Sequence, residues 1–258
     1  MGDSKETVNP YAVRSLERGL RILSCFELDH SSRTLGELCD CTGLPKATCF
    51  RLVKTLEAEG YLAIDALSGE YRLGAALVRV ALLAMSHNAL ARAAHSHLAA
   101  LTEAIGDTVD LTTWSHEGPL LIDRSLTSGA FRPRNTVGHL LLDPQTTHAK
   151  AWLAFGTPTQ RHRALALFAA QEGSAKSGLS DLEKDLDNAR RDGCTFDISE
   201  ERGVCSIGAP VWGAPGQMTA CVSVVAPFRQ WPAETMENRR LALMRTAAAL
   251  SEELGYRP

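Results

Sequence analysis

The chain has 258 residues, of which 45% are hydrophobic and 22% are charged, and its formal net charge is −3. This length suits one large or two modest domains with packed cores, and no apolar run approaches the roughly 20 residues of a membrane-spanning helix. The slightly acidic balance excludes a general basic field, so any nucleic-acid binding must depend on a local basic patch. The polar segment 1–10 is unlike a signal peptide and predicts a cytoplasmic protein.

A first helix is predicted where apolar residues recur at helical spacing from Leu16 to Phe26. This helix should pack beneath the two that follow it. Arg14 and Arg18 flank its start. They are equally compatible with solvation and with contact to a nucleic-acid backbone.

A helix, a glycine turn and a second helix follow between residues 34 and 60. Thr34 and Glu37 have the spacing of a capping box ahead of an apolar run, and Gly43 ends that helix. Pro45 suits the first position of the next helix, because the N–H that proline lacks is not needed there. Gly60 ends the second helix.

The second of these helices is amphipathic. One stripe is apolar and should face the core; it consists of Cys49, Leu52, Val53 and Leu56. The opposite face and the helix start suit the bases and phosphates of a DNA major groove; they present Lys46, Ala47, Thr48, Phe50, Arg51 and Lys54. Two short strands, residues 61–64 and 70–73, predict a wing that carries Ser68 and Arg72.

The segment 34–73 therefore has the plan of a winged helix-turn-helix. A three-helix domain that does not bind DNA would share its periodicity. The solvated helix of such a domain would mix both charge signs, whereas here cations and an aromatic ring share one face and Glu57 and Glu59 stand at the helix end. DNA binding is the better interpretation, and a structural partner that has lost DNA binding would have no need of these cations.

Residues 75–85 are apolar almost all round, with Arg79 as the exception. A helix of this kind is not stable alone in water. It should therefore pair with its copy in a second subunit or dock on the next domain. A second, alanine-rich helix is predicted at 89–105.

The remaining chain predicts an α+β architecture in which helices cover a sheet. Residues 109–113 and 120–122 have the pattern of a hairpin, and 204–212 and 218–226 that of two strands covered on both faces. Helices are predicted at 144–155, 158–168, 180–191 and 235–254.

Polar residues in this half indicate a ligand site. Ser206 and Ser223 place hydroxyls in apolar strands, where each needs a partner from the backbone, another side chain or a ligand. Asp143-Pro144 suits the start of a helix whose free amides would seat an anion. Asp197 lies shortly before the strand 204–212. Each feature taken alone also has a purely structural explanation.

The seven cysteines show no metal-ligand pattern. Cys39 and Cys41 stand two apart, and neither a C-x-x-C pair nor two histidines at helical spacing is present. We therefore expect reduced, buried cysteines and neither a zinc site, a disulfide framework nor a cofactor.

A collinear series of short motifs runs through both halves of the chain. The first half contains Arg14-Ser15-Leu16-Glu17-Arg18, Leu44-Pro45-Lys46, Arg51-Leu52, Thr55-Leu56-Glu57, Gly60-Tyr61 and Gly69-Glu70-Tyr71-Arg72-Leu73-Gly74. The second half contains Val137-Gly138, Thr146, Lys150-Ala151, and two strands from Gly203 to Val211 and from Ser223 to Pro227. In order and spacing this series resembles the IclR family of transcriptional regulators over nearly the whole chain.

The resemblance implies three parts: a winged helix-turn-helix over 1–74, a linker and dimerisation helix over 75–92, and an effector-binding domain similar to a GAF domain over 93–258. It implies a homodimer or homotetramer that binds pseudo-palindromic double-stranded operator DNA, without contact to a membrane. A small organic effector would alter this binding through the 75–92 helix. Repression of a catabolic operon is expected rather than activation.

The resemblance also assigns the effector-binding residues, which are Thr146, Thr147, His148, Asp197, Ser206 and Ser223. The sequence departs from the family pattern at three positions, with Ser206 for a common cysteine, Val225 for a polar residue and Pro144 for a histidine. The effector of relatives is often a carboxylate or an aromatic acid. Because Val225 adds apolar surface, we expect a less polar effector here, aromatic or amide-like, with His148 supplying a polar contact.

An enzyme is the alternative interpretation. Cys205 or Cys221 would be its nucleophile, His148 or His139 its base and Asp197 its orienting acid. The sequence has no nucleophile elbow, phosphate loop or metal spacing to support this chemistry. A transcriptional regulator without catalytic residues is the prediction.

Overall fold

The computed structural model describes residues 11–27, 30–86, 88–133, 135–169, 179–213 and 216–257. The chain divides into two compact units, Met1–His87 and Asn88–Pro258. None of the helices within the described ranges is long and apolar enough to cross a membrane. The segment 1–10, which carried the expectation about a signal peptide, lies outside the described residues.

The first unit contains the predicted winged helix-turn-helix. Three helices pack with a small antiparallel sheet of order β1-β3-β2. The elements are α1 Arg14–Leu23, β1 Ser32–Arg33, α2 Leu35–Thr42, α3 Lys46–Ala58, β2 Leu62–Ile64, β3 Tyr71–Leu73 and α4 Ala75–Ser86.

Local sequence signals set the ends of α2 and α3. The Thr34 hydroxyl accepts the N–H of Glu37 at 3.3 Å, and the Glu37 carboxylate accepts the N–H of Thr34 at 2.7 Å, which confirms the capping box. Gly43 ends α2 with a φ of 66°, a left-handed conformation that favours glycine. The start of α3 differs from the prediction by one residue. Pro45 was predicted as the first helical residue, but it is the N-cap, and α3 begins at Lys46.

The core of the first unit joins all three helices. Cys49 and Val53 of α3 are fully buried with Ile22 of α1 and Leu38 of α2, which confirms the inward stripe. The sequence did not predict β1, since two residues are too few to show strand alternation. It pairs with β3 beside the wing.

The prediction that all cysteines are reduced and buried is wrong for three of them, because Cys25 and Cys41 are bonded to each other and Cys39 is only partly buried. Cys25, which follows α1, forms a disulfide with Cys41 in the last turn of α2, and their Cα atoms are 6.2 Å apart. Cys41 is also exposed. A spacing of 16 residues carries no motif, so only the packing of α1 on α2 reveals this pairing.

Within its own unit, α4 leaves its apolar side chains uncovered. None of its residues is buried. Val78, Leu82 and Leu83 are each more than half exposed. This observation agrees with the expectation that the helix needs a partner.

The predicted linker 75–92 is not a single helix. The first helix ends at Ser86, and the side chain of Asn88 caps the next one by accepting the N–H of Ala91 at 3.2 Å. Leu90 already packs in the core of the second unit. Residues 89–92 therefore belong to α5 and to the second unit.

The second unit is an antiparallel sheet of order β5-β4-β8-β7-β6 with helices on it, which confirms the α+β expectation. Its elements are α5 Ala89–Ile105, β4 Thr108–Ser115, β5 Gly118–Ser125, α6 Thr147–Phe155, α7 Pro158–Ala169, α8 Leu179–Asp192, β6 Thr195–Ser199, β7 Val204–Trp212, β8 Met218–Pro227 and α9 Ala233–Glu253. The short strand β6, which carries Asp197, was not predicted as a strand.

The two faces of this sheet differ in chemistry. On one face, Ile207 of β7 and Val222 of β8 pack in a core with Leu98 of α5 and Leu243 of α9. Strands β7 and β8 are buried over most of their length, as their near-continuous apolar sequences predicted. The other face is polar and lies beneath α6.

Candidate functional site

Strand register gathers polar residues into two neighbouring rows on one face of the sheet. Cross-strand partners in an antiparallel sheet share a face. The first row crosses β6, β7, β8 and β4 through Asp197, Ser206, Val225 and Thr108. The second row crosses all five strands through Thr195, Gly208, Ser223, Asp110 and Arg124.

The start of α6 is fixed over these rows by hydroxyl bonds and by one close approach. Thr146 is the N-cap, and its hydroxyl accepts the N–H of Ala149 at 3.2 Å. The hydroxyl of Thr147 donates to the carbonyl of Thr195 at 3.1 Å, and the Thr195 hydroxyl donates to the carbonyl of Thr147 at 2.9 Å. A Cβ on Gly208 would lie 3.1 Å from Cγ2 of Thr147, so glycine permits this approach.

The helix begins at Thr147 and not at Pro144, as the sequence suggested. A threonine N-cap satisfies a free amide that proline cannot, while the Asp143 carboxylate accepts the N–H of Gln145 at 2.9 Å in the preceding turn. Among the described residues, the amide N–H groups of Thr147 and His148 have no protein acceptor. These two amides are therefore available to a carbonyl or an anion, whereas the sequence pattern predicted such free amides from a helix that begins at Pro144.

His148 connects α6 to two strands from a buried position. Its Nδ1 lies 3.1 Å from the Thr112 hydroxyl and its Nε2 3.0 Å from the Ser223 hydroxyl. Each hydroxyl can donate or accept, so the neutral ring can donate from one nitrogen and accept at the other. Both ring nitrogens are thus used by the protein, which corrects the expectation of a free polar contact from His148.

Burial keeps the His148 ring neutral. Desolvation lowers its pKa to about 4 and outweighs the nearby carboxylate of Asp110, which acts in the opposite direction. The hydrogen bonds alone do not set this state, because either hydroxyl could also accept an N–H from a charged ring. The absence of solvent around the buried ring is what disfavours the charge.

Ion pairs flank the histidine on the same face. Arg124 binds Asp110 through two nitrogens at 2.5 and 2.7 Å and also donates to the carbonyl of Asn135. Arg202 donates to Asp197 at 2.5 Å and to Asp143 at 3.2 Å. Burial raises the pKa of Asp197, and Arg202 only partly offsets this effect. Both guanidinium groups are already engaged by acids.

A cavity of about 620 Å³ opens between the polar face and the start of α6. Its apolar wall includes Phe131, Leu140, Leu142 and Val225. Ser206 lines it while only 6% exposed, and its hydroxyl has no hydrogen-bond partner among the described residues. A buried free hydroxyl beside two free amides is suited to bind a small polar group.

Five of the six predicted effector residues line this cavity, namely Thr146, Thr147, His148, Asp197 and Ser206. Ser223 is fully buried beneath His148 and is not a lining residue. It can affect a ligand only through the histidine.

The sequence reasoning missed the ion pairs. Asp110 stands between the core residues Val109 and Leu111, and a charge at such a position needs a buried partner. The β4–β5 hairpin brings Arg124 opposite Asp110. Extending the predicted hairpin by strand pairing would have placed Arg124 opposite Asp110 and so predicted this ion pair.

The alternative catalytic set is not assembled. The side chain of Cys205 belongs to the apolar core on the far side of the sheet from Asp197. Burial raises the pKa of the Cys221 thiol, which disfavours the reactive thiolate. His148 bonds hydroxyls rather than a thiol.

In the first unit, the predicted DNA-binding residues are accessible to solvent. All are exposed except Thr48, which is half-buried; the exposed ones are Arg14, Arg18, Lys46, Ala47, Phe50, Arg51, Lys54, Ser68 and Arg72. Phe50 is 46% exposed, unusual for an aromatic side chain.

The cations among these residues are not equally free. Lys54 binds the Glu57 carboxylate at 2.7 Å, and this hydrogen bond raises the pKa of the ammonium group. Lys46 and Arg51 have no acidic partner among the described residues. Arg51 is therefore the unpaired cation at the centre of α3.

Models of two domains match the chain, one in each half. Residues 15–66 match the IclR helix-turn-helix domain, and residues 82–252 match the bacterial transcriptional regulator IclR C-terminal domain. The chain belongs to the IclR family. It is 27% identical to the DNA-binding transcriptional repressor YiaJ of Escherichia coli K12, over 98% of this chain and 92% of that protein. It is 25% identical to the glycerol operon regulatory protein of Streptomyces griseus, over 94% and 97%.

Solved structures of IclR regulators share the fold. A putative regulator from Silicibacter sp. TM1040 has a TM-score of 0.81 at 23% identity, over 94% of this chain and 97% of that one. An IclR homologue from Microbacterium hydrocarbonoxydans, complexed with 4-hydroxybenzoate, has a TM-score of 0.76 at 22% identity, over 93% and 99%. The family and the fold predicted from the sequence are confirmed.

The neutral state of His148 predicts a specific loss of stability in acid. Its folded pKa of about 4 lies below the ordinary 6.5, so the unfolded chain binds a proton more readily and stability falls as pH drops through this window. We expect this group to remove about 2 kcal/mol of unfolding free energy between pH 7.5 and pH 5. His148→Gln, which does not titrate, should lack this component in urea denaturation. Equal losses in both proteins would contradict a buried neutral ring.

Proposed function

We propose that this IclR-type transcriptional regulator acts in the cytoplasm as a homodimer or homotetramer whose α3 helices bind double-stranded operator DNA. A small organic effector, bound in the cavity beneath α6, modulates that binding. The observation that carries the proposal is the combination of an exposed basic α3 in one unit with a cavity that has free buried hydrogen-bonding groups in the other. Repression of a catabolic operon is the proposed outcome, supported by the similarity to the repressor YiaJ.

DNA recognition is assigned to α3 and the wing. Lys46, Lys54 and Arg72 contact phosphates, while Thr48, Phe50 and Arg51 face base edges. Phe50 suits the methyl group of thymine. Because the whole chain is acidic, affinity depends on this local patch and on its repetition by a second subunit.

The cavity favours an effector without a strong negative charge. Its lining contains four acids, three arginines and two histidines, and the acids Asp110, Asp143 and Asp197 already bind Arg124 and Arg202. The oxygen of a ligand amide or phenol can accept hydrogen bonds from the backbone N–H groups of Thr147 and His148. The same end of the ligand can also donate a hydrogen bond to the Ser206 hydroxyl or accept one from it. The sequence left three effector classes open, namely carboxylate, aromatic and amide-like compounds. Of these we propose a neutral aromatic compound or an amide.

We propose no catalysis. Among the described residues no hydrogen bond joins the thiol of Cys205 or Cys221 to a histidine, and burial makes His148 a weak base by lowering its pKa to about 4. Turnover of a model ester or amide by the purified protein would overturn this part of the proposal.

Arg51→Ala tests the DNA-binding surface. An unpaired cation at the centre of α3 should contribute about 1–3 kcal/mol to operator binding, so we expect a loss of about tenfold in affinity for the intergenic DNA beside the gene. Lys184→Ala removes the same charge from an exposed position of α8 in the other unit and should leave affinity unchanged. Gel-shift titrations at two salt concentrations measure both. Identical curves for the two variants would count against this surface.

Leu82→Glu tests assembly through α4. Its side chain is 62% exposed within its own unit, and a buried unpaired carboxylate at a helix pair is strongly unfavourable. We expect the wild type to have at least twice the chain mass of 27.9 kDa in sedimentation equilibrium, and the variant to dissociate. Ala99→Glu, at an exposed position of α5, is the control and should stay associated. A monomeric wild type at micromolar concentration would contradict the proposed dimer.

A matched pair of compounds tests the effector class. We expect 4-hydroxybenzamide to raise the melting temperature more than 4-hydroxybenzoate, because acids of the cavity already bind Arg124 and Arg202. Ser206→Ala should weaken the amide by about fivefold, the worth of one neutral hydrogen bond, and Ser96→Ala on the exposed face of α5 should not. Calorimetric titration gives the affinities. Tighter binding of the carboxylate, or no binding of either compound, would refute the neutral class.

A further inference from the structure

The DNA-binding unit holds four of the seven cysteines, namely Cys25, Cys39, Cys41 and Cys49. Cys25 and Cys41 form the disulfide between the end of α1 and the last turn of α2. Cys39 and Cys49 remain thiols. The oxidised pair therefore lies inside the unit that contacts DNA, while Cys194, Cys205 and Cys221 of the second unit are all buried free thiols.

The two sulfur-bearing residues of the disulfide differ in access. Cys25 is only 3% exposed and packs in the core with Ile22 and Leu38. Cys41 lies at an exposed position of α2. An external thiol or oxidant can thus reach the bond from the Cys41 side, and redox-sensing cysteines are typically solvent-accessible and close to a second cysteine.

The chemical surroundings select this pair over the other thiols. Burial and the neighbouring Cys39 raise the pKa of Cys49 to about 11, so Cys49 is protonated and a poor nucleophile. Burial likewise raises the pKa of the three thiols in the second unit. Cys41 is the one exposed cysteine in the described part of the chain.

The bond spans the joint that orients the DNA-reading helix. Cys41 is followed directly by Thr42 and by Gly43, whose left-handed turn leads into α3. With the bond closed, α1 and α2 are tied covalently at their ends. With the bond open, the packing of α1 on α2 depends on the small apolar core that includes Ile22 and Leu38. Closing a short loop stabilises a small domain by restricting its unfolded chain.

We infer that Cys25 and Cys41 form a reversible oxidation site that tunes operator affinity, an inference that rests on the proposed DNA-binding function. A protein that binds DNA works where cellular dithiols reduce most disulfides, and a disulfide in that compartment is transient rather than structural. In the oxidised form the bond holds α1 and α2 together, so α3 is preorganised for DNA and the affinity for the operator is higher. Reduction loosens α2 and lowers the affinity for the operator.

The reaction balances with a peroxide as oxidant. The Cys41 thiolate attacks the peroxide, giving a Cys41 sulfenic acid and releasing an alcohol or water. The Cys25 thiol then attacks that sulfur, forming the S–S bond and releasing water. A cellular dithiol reverses the step: its two thiols become a disulfide while Cys25 and Cys41 each take up one proton and one electron.

The test compares oxidised and reduced full-length protein in two assays. Peroxide-treated and dithiothreitol-treated samples are alkylated and mapped by mass spectrometry, and the same samples are titrated against the intergenic DNA. We expect the Cys25–Cys41 peptide pair only after oxidation, and at least about fivefold tighter DNA binding by that sample. Cys41→Ser replaces an exposed residue and should bind with the reduced affinity under both conditions. Cys39→Ser should keep the full response.

Three results would overturn the inference: free Cys25 and Cys41 after peroxide treatment, equal DNA affinities of verified oxidised and reduced protein, or a full redox response in Cys41→Ser. The alkylation map separates this failure from failure of the proposed function. If no sample binds DNA specifically while the disulfide forms and opens, DNA binding itself is refuted, and with it the regulatory role of the bond.

Discussion

A neutral histidine in the middle of the second unit holds the ligand cavity in shape. His148 bonds Thr112 and Ser223 on two different strands, and it is the second residue of α6. Hydroxyl bonds between Thr147 and Thr195 hold the same helix turn to a third strand. The start of α6 is therefore fixed to the sheet by hydrogen bonds to β4, β6 and β8, and the cavity lies beside it.

The ion pairs around the cavity have a related consequence. Arg124 and Arg202 are neutralised by Asp110, Asp143 and Asp197 before any ligand arrives. A carboxylate ligand would have to compete with these acids for Arg124 and Arg202. Under the proposed function, a neutral ligand would leave both pairs intact and use the amides and Ser206. The preformed pairs would then make the proposed site selective by charge as well as by shape.

The sequence predicted features that depend on neighbours along the chain, and it failed where contacts are long-range. The Thr34 capping box, the Gly43 turn and the inward stripe of Cys49 and Val53 follow from local spacing, and all three are observed. The Asp110–Arg124 pair depends on strand register, and the Cys25–Cys41 bond on helix packing. The family resemblance predicted six effector residues, and five of them line the cavity. Ser223 does not, because it bonds His148 instead. The sequence cannot distinguish a strand hydroxyl that binds a ligand from one that binds a histidine.

The two units give the proposed regulator two independent inputs to one output. On the proposals above, the effector acts on the second unit and the thiol reaction on the first, and each shifts the free energy of operator binding. If the two sites share no partners, their contributions to that free energy add and their effects on affinity multiply. By linkage, bound operator must alter effector affinity by the same factor that effector alters operator affinity, and it must likewise shift the equilibrium between the thiols and the disulfide.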